Sequence, residues 1–91
     1  MPVPPAELTA EFTVETSPEG EKSPQAQIEA GREAAAASGL AQETGPESTT
    51  LSGPRTEVLE VLSRVIEASL DAGAKAVHLT VEVPTEIHQK T

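Results

Sequence analysis

Two segments of the chain alternate between apolar and polar residues, which is the period of a β-strand with one buried side. Leu8, Ala10, Phe12 and Val14 share one side of the first segment, and Val77, Leu79, Val81 and Val83 share one side of the last. The alternation predicts a first strand that begins at Leu8 and a final strand that ends before Pro84, because proline cannot donate to a strand ladder.

Between these strands the period changes to that of a helix. Ser23 and Pro24 supply an N-cap followed by a proline at the first helical position, and Gly39 supplies a stop, so a helix is predicted over about 24–38. Most of its apolar residues are alanines. Gly31 lies inside this helix, where glycine costs about 1 kcal/mol relative to alanine, so close packing against another element is expected there.

A second helix is predicted from apolar residues three or four positions apart. It begins after Thr56 as a cap, or one step earlier at Gly53-Pro54, and ends at Gly73. Glu60 and Arg64 fall on its outer side at the spacing of an exposed ion pair. The predicted inner side consists of Val58, Leu59, Leu62, Val65, Ile66, Ser69 and Leu70.

Two polar strands, residues 40–44 and 48–51, flank the turn formers Gly45-Pro46-Glu47 and are predicted to form a hairpin. The element order is then strand, helix, strand, strand, helix, strand. Two right-handed crossovers in this order predict an α+β ferredoxin-like plait (βαββαβ), a four-stranded antiparallel sheet with two helices on one face. The expected strand order is fourth, first, third, second. Residues 1–7 are interpreted as an extended lead-in, 8–84 as the domain and 85–91 as a polar tail.

The charge balance limits the partners. Fifteen acidic against six basic residues leave a net charge of −9, which repels nucleic acid and acidic membranes. The chain has no cysteine, and no signal peptide or membrane-spanning stretch is recognised, so a cytoplasmic location is expected. With one aromatic residue among 91, the core is predicted to be thin, and a homo-oligomer is expected.

Alternation along the strands predicts a polar face opposite the helices. If Phe12 faces the helices, Glu11 and His78 face away from them, because neighbouring side chains point to opposite sides. Thr50 and Ser48 follow by the same parity, and Glu43 can join them from the second strand. The candidate ligand-binding residues are Glu11, Glu43, Ser48, Thr50 and His78. The alternative is that this face is merely solvated or contacts another subunit, with His78 a structural neighbour of a carboxylate.

Motifs for catalysis and for metal or cofactor binding are not found. There is no Gly-x-Ser-x-Gly elbow, no phosphate loop and no His-Glu-x-x-His segment. No catalytic residue, metal ligand or cofactor is therefore assigned, and the chain is expected not to be an enzyme. An acid-base pair of Glu11 and His78, acting in a hydrolase or isomerase, is the remaining catalytic alternative. The other histidine, His88, belongs to the polar tail.

Three stretches, at residues 9–14, 43–53 and 71–79, resemble the small thiamine-binding-protein family. The middle stretch is the most specific, with Gly45-Pro46, then Thr49-Thr50-Leu51 and later Gly53. The resemblance implies a homo-oligomer, in which plaits pack through their sheets into dimers, often further into tetramers. It also implies that some members bind thiamine or its hydroxymethylpyrimidine half. It also implies Glu11, Glu43 and Thr50 as first candidates for ligand contact.

The expected function is therefore an oligomeric small-molecule-binding protein, for thiamine or a related aminopyrimidine held at the acidic face of the sheet. A carboxylate favours the thiazolium charge and the amino group of such a ligand. The alternative is an assembly or regulatory module with no small-molecule site. Because Phe12 is the only aromatic residue and is expected to face the core, little ring surface is expected for stacking.

Overall fold

The computed structural model describes residues 7–46 and 48–84. The tail, with His88, and all of the lead-in except Glu7 lie outside the described residues. The elements are β1 (Leu8–Glu15), α1 (Pro24–Ala36), β2 (Ala41–Thr44), β3 (Thr49–Gly53), α2 (Arg55–Asp71) and β4 (Ala76–Glu82). The antiparallel strands form one sheet in the order β2-β3-β1-β4. The predicted ferredoxin-like plait and its strand order are confirmed.

The strand registers assign each residue to one face of the sheet. Phe12 lies opposite Thr49 on β3 and Leu79 on β4, and directly opposed residues of antiparallel strands share a face. Phe12 and Thr49 are buried, so this set faces the helices. Glu11 lies opposite Thr50 and therefore belongs to the other, open face.

The core lies between the sheet and the helices. Its buried apolar side chains come from β1, β3 and both helices: Leu8, Ala10, Phe12, Ala35, Leu51, Val58, Val61, Leu62 and Val65. Gly31 of α1 is buried, and a Cβ atom there would lie 2.7 Å from Ser69 Oγ and 3.2 Å from Val14 Cγ2. The close packing predicted at Gly31 is confirmed, since only a residue without a side chain allows this approach of α1 to α2 and β1.

Helix α1 ends at Ala36, two residues before the predicted end, and α2 ends at Asp71. Each is followed within three residues by the predicted glycine, and both glycines have positive φ, Gly39 at 76° and Gly73 at 104°. Helix α2 begins at Arg55, which is the earlier of the two predicted starts. Its first turn is stabilised by a residue distant in sequence, since the Arg55 amide donates to Glu7 Oε1 at 2.8 Å. Near its middle, Arg64 and Glu60 form the predicted exposed ion pair at 3.2 Å.

The predicted inner side of α2 is partly wrong. Leu59 and Leu70 are 45% and 47% exposed, whereas Val61, which was not predicted, is buried. The core-facing side is rotated toward Val61 because α2 packs against α1 as well as the sheet. Leu79 and Val81 on the edge strand β4 are also 37% and 43% exposed, although they share the helix-facing side of the sheet with Phe12 and Ala10.

A buried amide closes the connection between β1 and α1. Gln27 is fully buried, accepts a hydrogen bond from the Ser17 amide and donates to the carbonyls of Ser17 and Lys22, all at 2.8 Å. Most buried polar groups are paired in this way, because an unpaired one costs free energy. Gln27 therefore holds the loop that carries the chain from the end of β1 into α1.

Candidate functional site

Four open-face residues form one row across the sheet. Glu43 lies opposite Thr50, Thr50 opposite Glu11, and Glu11 opposite Thr80. Adjacent strands are about 4.8 Å apart, so the row alternates carboxylates with hydroxyls at short spacing. Such a row can accept hydrogen bonds from an amine and stabilise a positive charge.

Ser48, which directly precedes β3, is hydrogen bonded to a residue of this row. Its hydroxyl donates to Glu11 Oε2 at 2.8 Å. Further along the same face, Glu43 and Thr50 line a shallow hollow of about 150 Å³ together with residues of β2 and β3. Four of the five candidate residues therefore lie in one continuous strip, with Ser48 and Glu11 at one end.

The fifth candidate, His78, is bonded to a carboxylate of β1 that the sequence analysis did not select. His78 Nε2 lies 2.7 Å from Glu15 Oε1, and Lys75 Nζ lies 3.3 Å from Glu15 Oε2. These two contacts, first the hydrogen bond with His78 and then Lys75, hold the pKa of Glu15 below its usual range. Glu15 is therefore an ionised carboxylate whose charge is already matched by neighbouring groups.

A cavity of about 360 Å³ lies at the end of β1. The pairing of β1 with β3 stops at Phe12 and Thr49, while β1 continues beside β4 as far as Glu15. A notch is left where β3 would otherwise continue. The cavity occupies this notch and is lined by Phe12, Thr13, Val14, Glu15, Ile28, Arg32, Pro46, Ser48, Thr49 and His78.

The walls of this end cavity come from both sides of the sheet. Phe12 and Val14 lie on the helix side, where Ile28 of α1 joins them, whereas Glu15 and His78 lie on the open side. An apolar wall is thus combined with ionisable groups at the opening. Cavities of about 300–1,000 Å³ with this mixture are typical of small-molecule sites.

Arg32 places a cation in the same cavity. It is partly buried on α1, and its Nη2 donates to the Gly45 carbonyl at 3.1 Å. This bond joins α1 to the turn of the β2–β3 hairpin, whose residue Pro46 forms another part of the cavity wall. Arg32 therefore both shapes the cavity and presents charge to it.

Sequence reasoning found part of this arrangement. Ser48 and His78 line the end cavity, Glu11 is attached to it through Ser48, and Glu43 and Thr50 line the separate hollow. The cavity itself and the roles of Ile28 and Arg32 in its wall were missed. One signal was available: the predicted β1 is longer than the predicted β3, so one end of β1 must lack a partner on that side.

The geometry does not join the acid-base pair considered from the sequence. Glu11 is bonded to Ser48, whereas His78 is bonded to Glu15. Within residues 7–46 and 48–84, no group of three or more His, Asp or Glu side chains could hold a metal ion. In that same part of the chain, neither helix is long and apolar enough to cross a bilayer.

A comparison with models of known protein families shows the family to which this chain is related. The model of the family described as thiamine-binding protein matches residues 10–90. The chain belongs to the thiamine-binding-protein family. The family is named for binding and not for a catalysed reaction, and the resemblance found in the sequence is confirmed. No curated protein matches the chain.

Solved structures share the fold. A domain of unknown function from Bacillus cereus is 26% identical with a TM-score of 0.70, and the match covers 92% of this chain and 80% of that one. A Thermotoga maritima protein provisionally described as a thiamine biosynthesis/salvage protein is 20% identical, TM-score 0.66, with 92% and 88% covered. A hypothetical protein from Methanocaldococcus jannaschii is 17% identical, TM-score 0.67, with 91% and 84% covered.

Proposed function

We propose that this protein is an oligomeric, cytoplasmic binding protein for thiamine or a related aminopyrimidine, and not an enzyme. The observation that carries the proposal is the end cavity of about 360 Å³, in a chain of the thiamine-binding-protein family. Its apolar wall of Phe12, Val14 and Ile28 suits a flat ring. Phe12 is buried in the core and also borders this cavity.

The polar groups around the opening suit the rest of such a ligand. Ser48 and His78 line the cavity, and Ser48 bonds Glu11 at its edge. In the proposed arrangement the Glu11 carboxylate accepts a hydrogen bond from the amino group of the pyrimidine, and the acidic strip toward Thr50 and Glu43 favours a positively charged ring. In this proposal Ser48 and His78 line the site, Glu11 borders it through Ser48, and Glu43 and Thr50 are more distant.

A thermal-shift titration with thiamine and hydroxymethylpyrimidine tests the proposal. A ligand at 100 times its dissociation constant adds about 2.7 kcal/mol to stability, so a clear rise in Tm is expected. Ser48→Ala and His78→Ala should weaken the response, because both remove polar groups from the cavity wall. Glu60→Ala, on the exposed side of α2, is the matched control and should respond like the wild type. No rise in Tm with either compound would contradict the proposal.

Substitutions in the strip separate the cavity from the shallow hollow. If the ring occupies the end cavity, Glu11→Gln should weaken binding more than Glu43→Gln, because Glu11 is held at the cavity edge by Ser48. Isothermal titration with thiamine measures both. An equal or larger effect of Glu43→Gln would move the proposed site to the hollow between β2 and β3.

The oligomeric part of the proposal is supported by exposed apolar side chains on α2 and β4. Leu59, Leu70, Leu79 and Val81 are each more than one-third exposed, whereas the open face carries carboxylates that repel a second copy of themselves. We expect a dimer, whose mass is measured by sedimentation equilibrium. Leu79→Ser combined with Val81→Ser should shift it toward monomer if β4 forms the contact. A shift with Glu11→Ala and Thr50→Ala instead would favour contact through the open face, as the sequence analysis expected.

A further inference from the structure

The end cavity is lined by a cationic side chain, Arg32, that the binding of an aminopyrimidine does not require. Arg32 is partly buried, and its Nη2 donates a hydrogen bond to a neutral group, the Gly45 carbonyl. No carboxylate among residues 7–46 and 48–84 lies within salt-bridge distance of its guanidinium. A guanidinium has five N–H donors in a planar fork. The bond to Gly45 uses only part of this capacity.

The acidic side chains that share a cavity or hollow with Arg32 among the described residues do not change this picture. Glu15, which also lines the cavity, is bonded to His78 and Lys75. Glu29 and Glu33 line a different hollow against β2, which Arg32 also lines, but neither carboxylate is within salt-bridge distance of the guanidinium. The charge of Arg32 is therefore presented to a cavity in which the Glu15 carboxylate is already bonded to His78 and Lys75.

The position of Arg32 also fixes which part of a ligand it would meet. It projects from α1 on the helix side of the sheet, on the same cavity wall as Ile28, one helical turn earlier. Glu11 and the Ser48 hydroxyl lie on the open side. A ligand that spans the notch meets carboxylate at one end and guanidinium at the other.

We infer that the Arg32 end of the cavity binds an anionic substituent of the phosphate-ester class, so that the preferred ligand is a ring compound carrying both a cationic or amino group and a phosphate. This inference rests on the proposed function and specifies its ligand. A guanidinium binds phosphate through two parallel charge-assisted hydrogen bonds, which are stronger in a partly buried site than in open water. The net charge of −9 opposes anions in general, so the preference must arise locally.

The experiment compares two probes that differ only in the phosphate. Thiamine and thiamine monophosphate are titrated into the full chain by isothermal titration calorimetry, and the ratio of their Kd values is measured in each variant. We expect the wild type to bind the monophosphate about tenfold more tightly. Arg32→Gln should bring the ratio close to one, and Arg32→Lys should retain part of the preference because it keeps the charge but loses the fork.

Arg64→Gln is the matched control. It removes one positive charge from an arginine on the exposed side of α2, where Arg64 pairs with Glu60. The ratio should stay as in the wild type. Rising salt should reduce the preference in the wild type and leave the ratio of Arg32→Gln unchanged.

The ratio separates the possible outcomes, because damage to the cavity weakens both probes alike. If Arg32→Gln weakens both probes equally, Arg32 only braces the hairpin turn and the inference is wrong. Equal binding of both probes by the wild type overturns the inference and leaves the proposed function standing. If Arg64→Gln abolishes the preference as well, the effect is one of overall charge and the inference is again wrong. If neither probe binds, the proposed function fails and the inference fails with it.

Discussion

The two faces of the sheet are made by alternate residues of the same strands, yet they have different roles. On β3, Leu51 is fully buried against the helices, whereas its neighbour Thr50 is partly exposed on the open face between Glu11 and Glu43. One face removes apolar surface from water and stabilises the fold. The other keeps polar groups accessible, so it can bind a ligand without contributing much to stability.

The sharpest test of this contrast substitutes two neighbours on one strand. Leu51→Ala should lower the free energy of unfolding by about 2–5 kcal/mol, because it removes buried methyl groups and leaves a cavity. Thr50→Ala should lower it by less than about 1 kcal/mol. Chemical denaturation of both variants measures the difference. Similar losses of unfolding free energy in the two variants would mean that the two faces do not differ in their contribution to stability. If Leu51→Ala is too unstable to measure, Leu51→Val should give a smaller loss.

Substitution of Gln27 tests whether a buried polar residue can contribute to stability as the buried apolar residues do. Gln27→Ala removes three hydrogen bonds to the loop between β1 and α1, and unpaired buried groups cost about 1–3 kcal/mol. We expect a loss in that range by urea denaturation, together with faster amide exchange at Ser17. Gln25→Ala, at an exposed position two residues earlier, is the control. A loss no larger than that of the control would mean that water replaces the amide without cost.

Because α1 and α2 are in close contact at Gly31, Gly31→Ala should change the stability of the protein in the direction opposite to that expected from helix propensity. Gly31→Ala would stabilise an isolated helix by about 1 kcal/mol, but here the new Cβ lies 2.7 Å from Ser69 Oγ. Overpacking of this kind costs about 1–3 kcal/mol, so the variant should be less stable than the wild type in thermal denaturation.

A second substitution tests the cause of that loss. Ser69 Oγ is buried and has no hydrogen-bond partner among the described residues, so Ser69→Ala should leave stability unchanged or slightly raise it. Combined with Gly31→Ala it should recover part of the loss, as measured in a double-mutant cycle. Strict additivity of the two changes would show that they do not touch.

The smallest expected effect is a pH dependence at the end cavity. His78 and Lys75 lower the pKa of Glu15 in the folded protein. The ionised Glu15 therefore contributes fully to stability above the ordinary glutamate pKa of about 4.3. This contribution is lost as the pH falls through the lower pKa of the folded state. Wild type should exceed Glu15→Gln in stability at pH 7, and the difference should shrink below about pH 4. Glu67→Gln on α2 controls for removing one negative charge. A difference that does not depend on pH would contradict this assignment.

Much of the fold could be predicted because the signals were local. Alternation from Leu8 to Val14 marks a strand with one buried side, and Ser23-Pro24 marks the start of a helix. Gly31 was informative because its cost in a helix requires a compensating close contact. The inner side of α2 was less predictable, since Leu59 and Val61 fit a helical period equally well and only packing against α1 distinguishes them.

The candidate site was predictable only in part. The parity of the strands placed Glu11 and His78 on one face, which needs no knowledge of contacts. The partner of each residue was not predictable. Ser48 bonds Glu11 and Glu15 bonds His78 because of registers that depend on how far each strand extends.

By itself, the amino-acid sequence determined the order of the elements, the alternation that separates a buried face from a polar one, and membership of the thiamine-binding-protein family. These properties depend on the chemical identity of residues near one another along the chain. Only the tertiary structure decided that β3 stops opposite Phe12 and that Arg32 reaches the turn at Gly45. The end cavity arises where β1, α1, β4 and the β2–β3 hairpin meet, and such a meeting is a property of packing, which no single segment encodes.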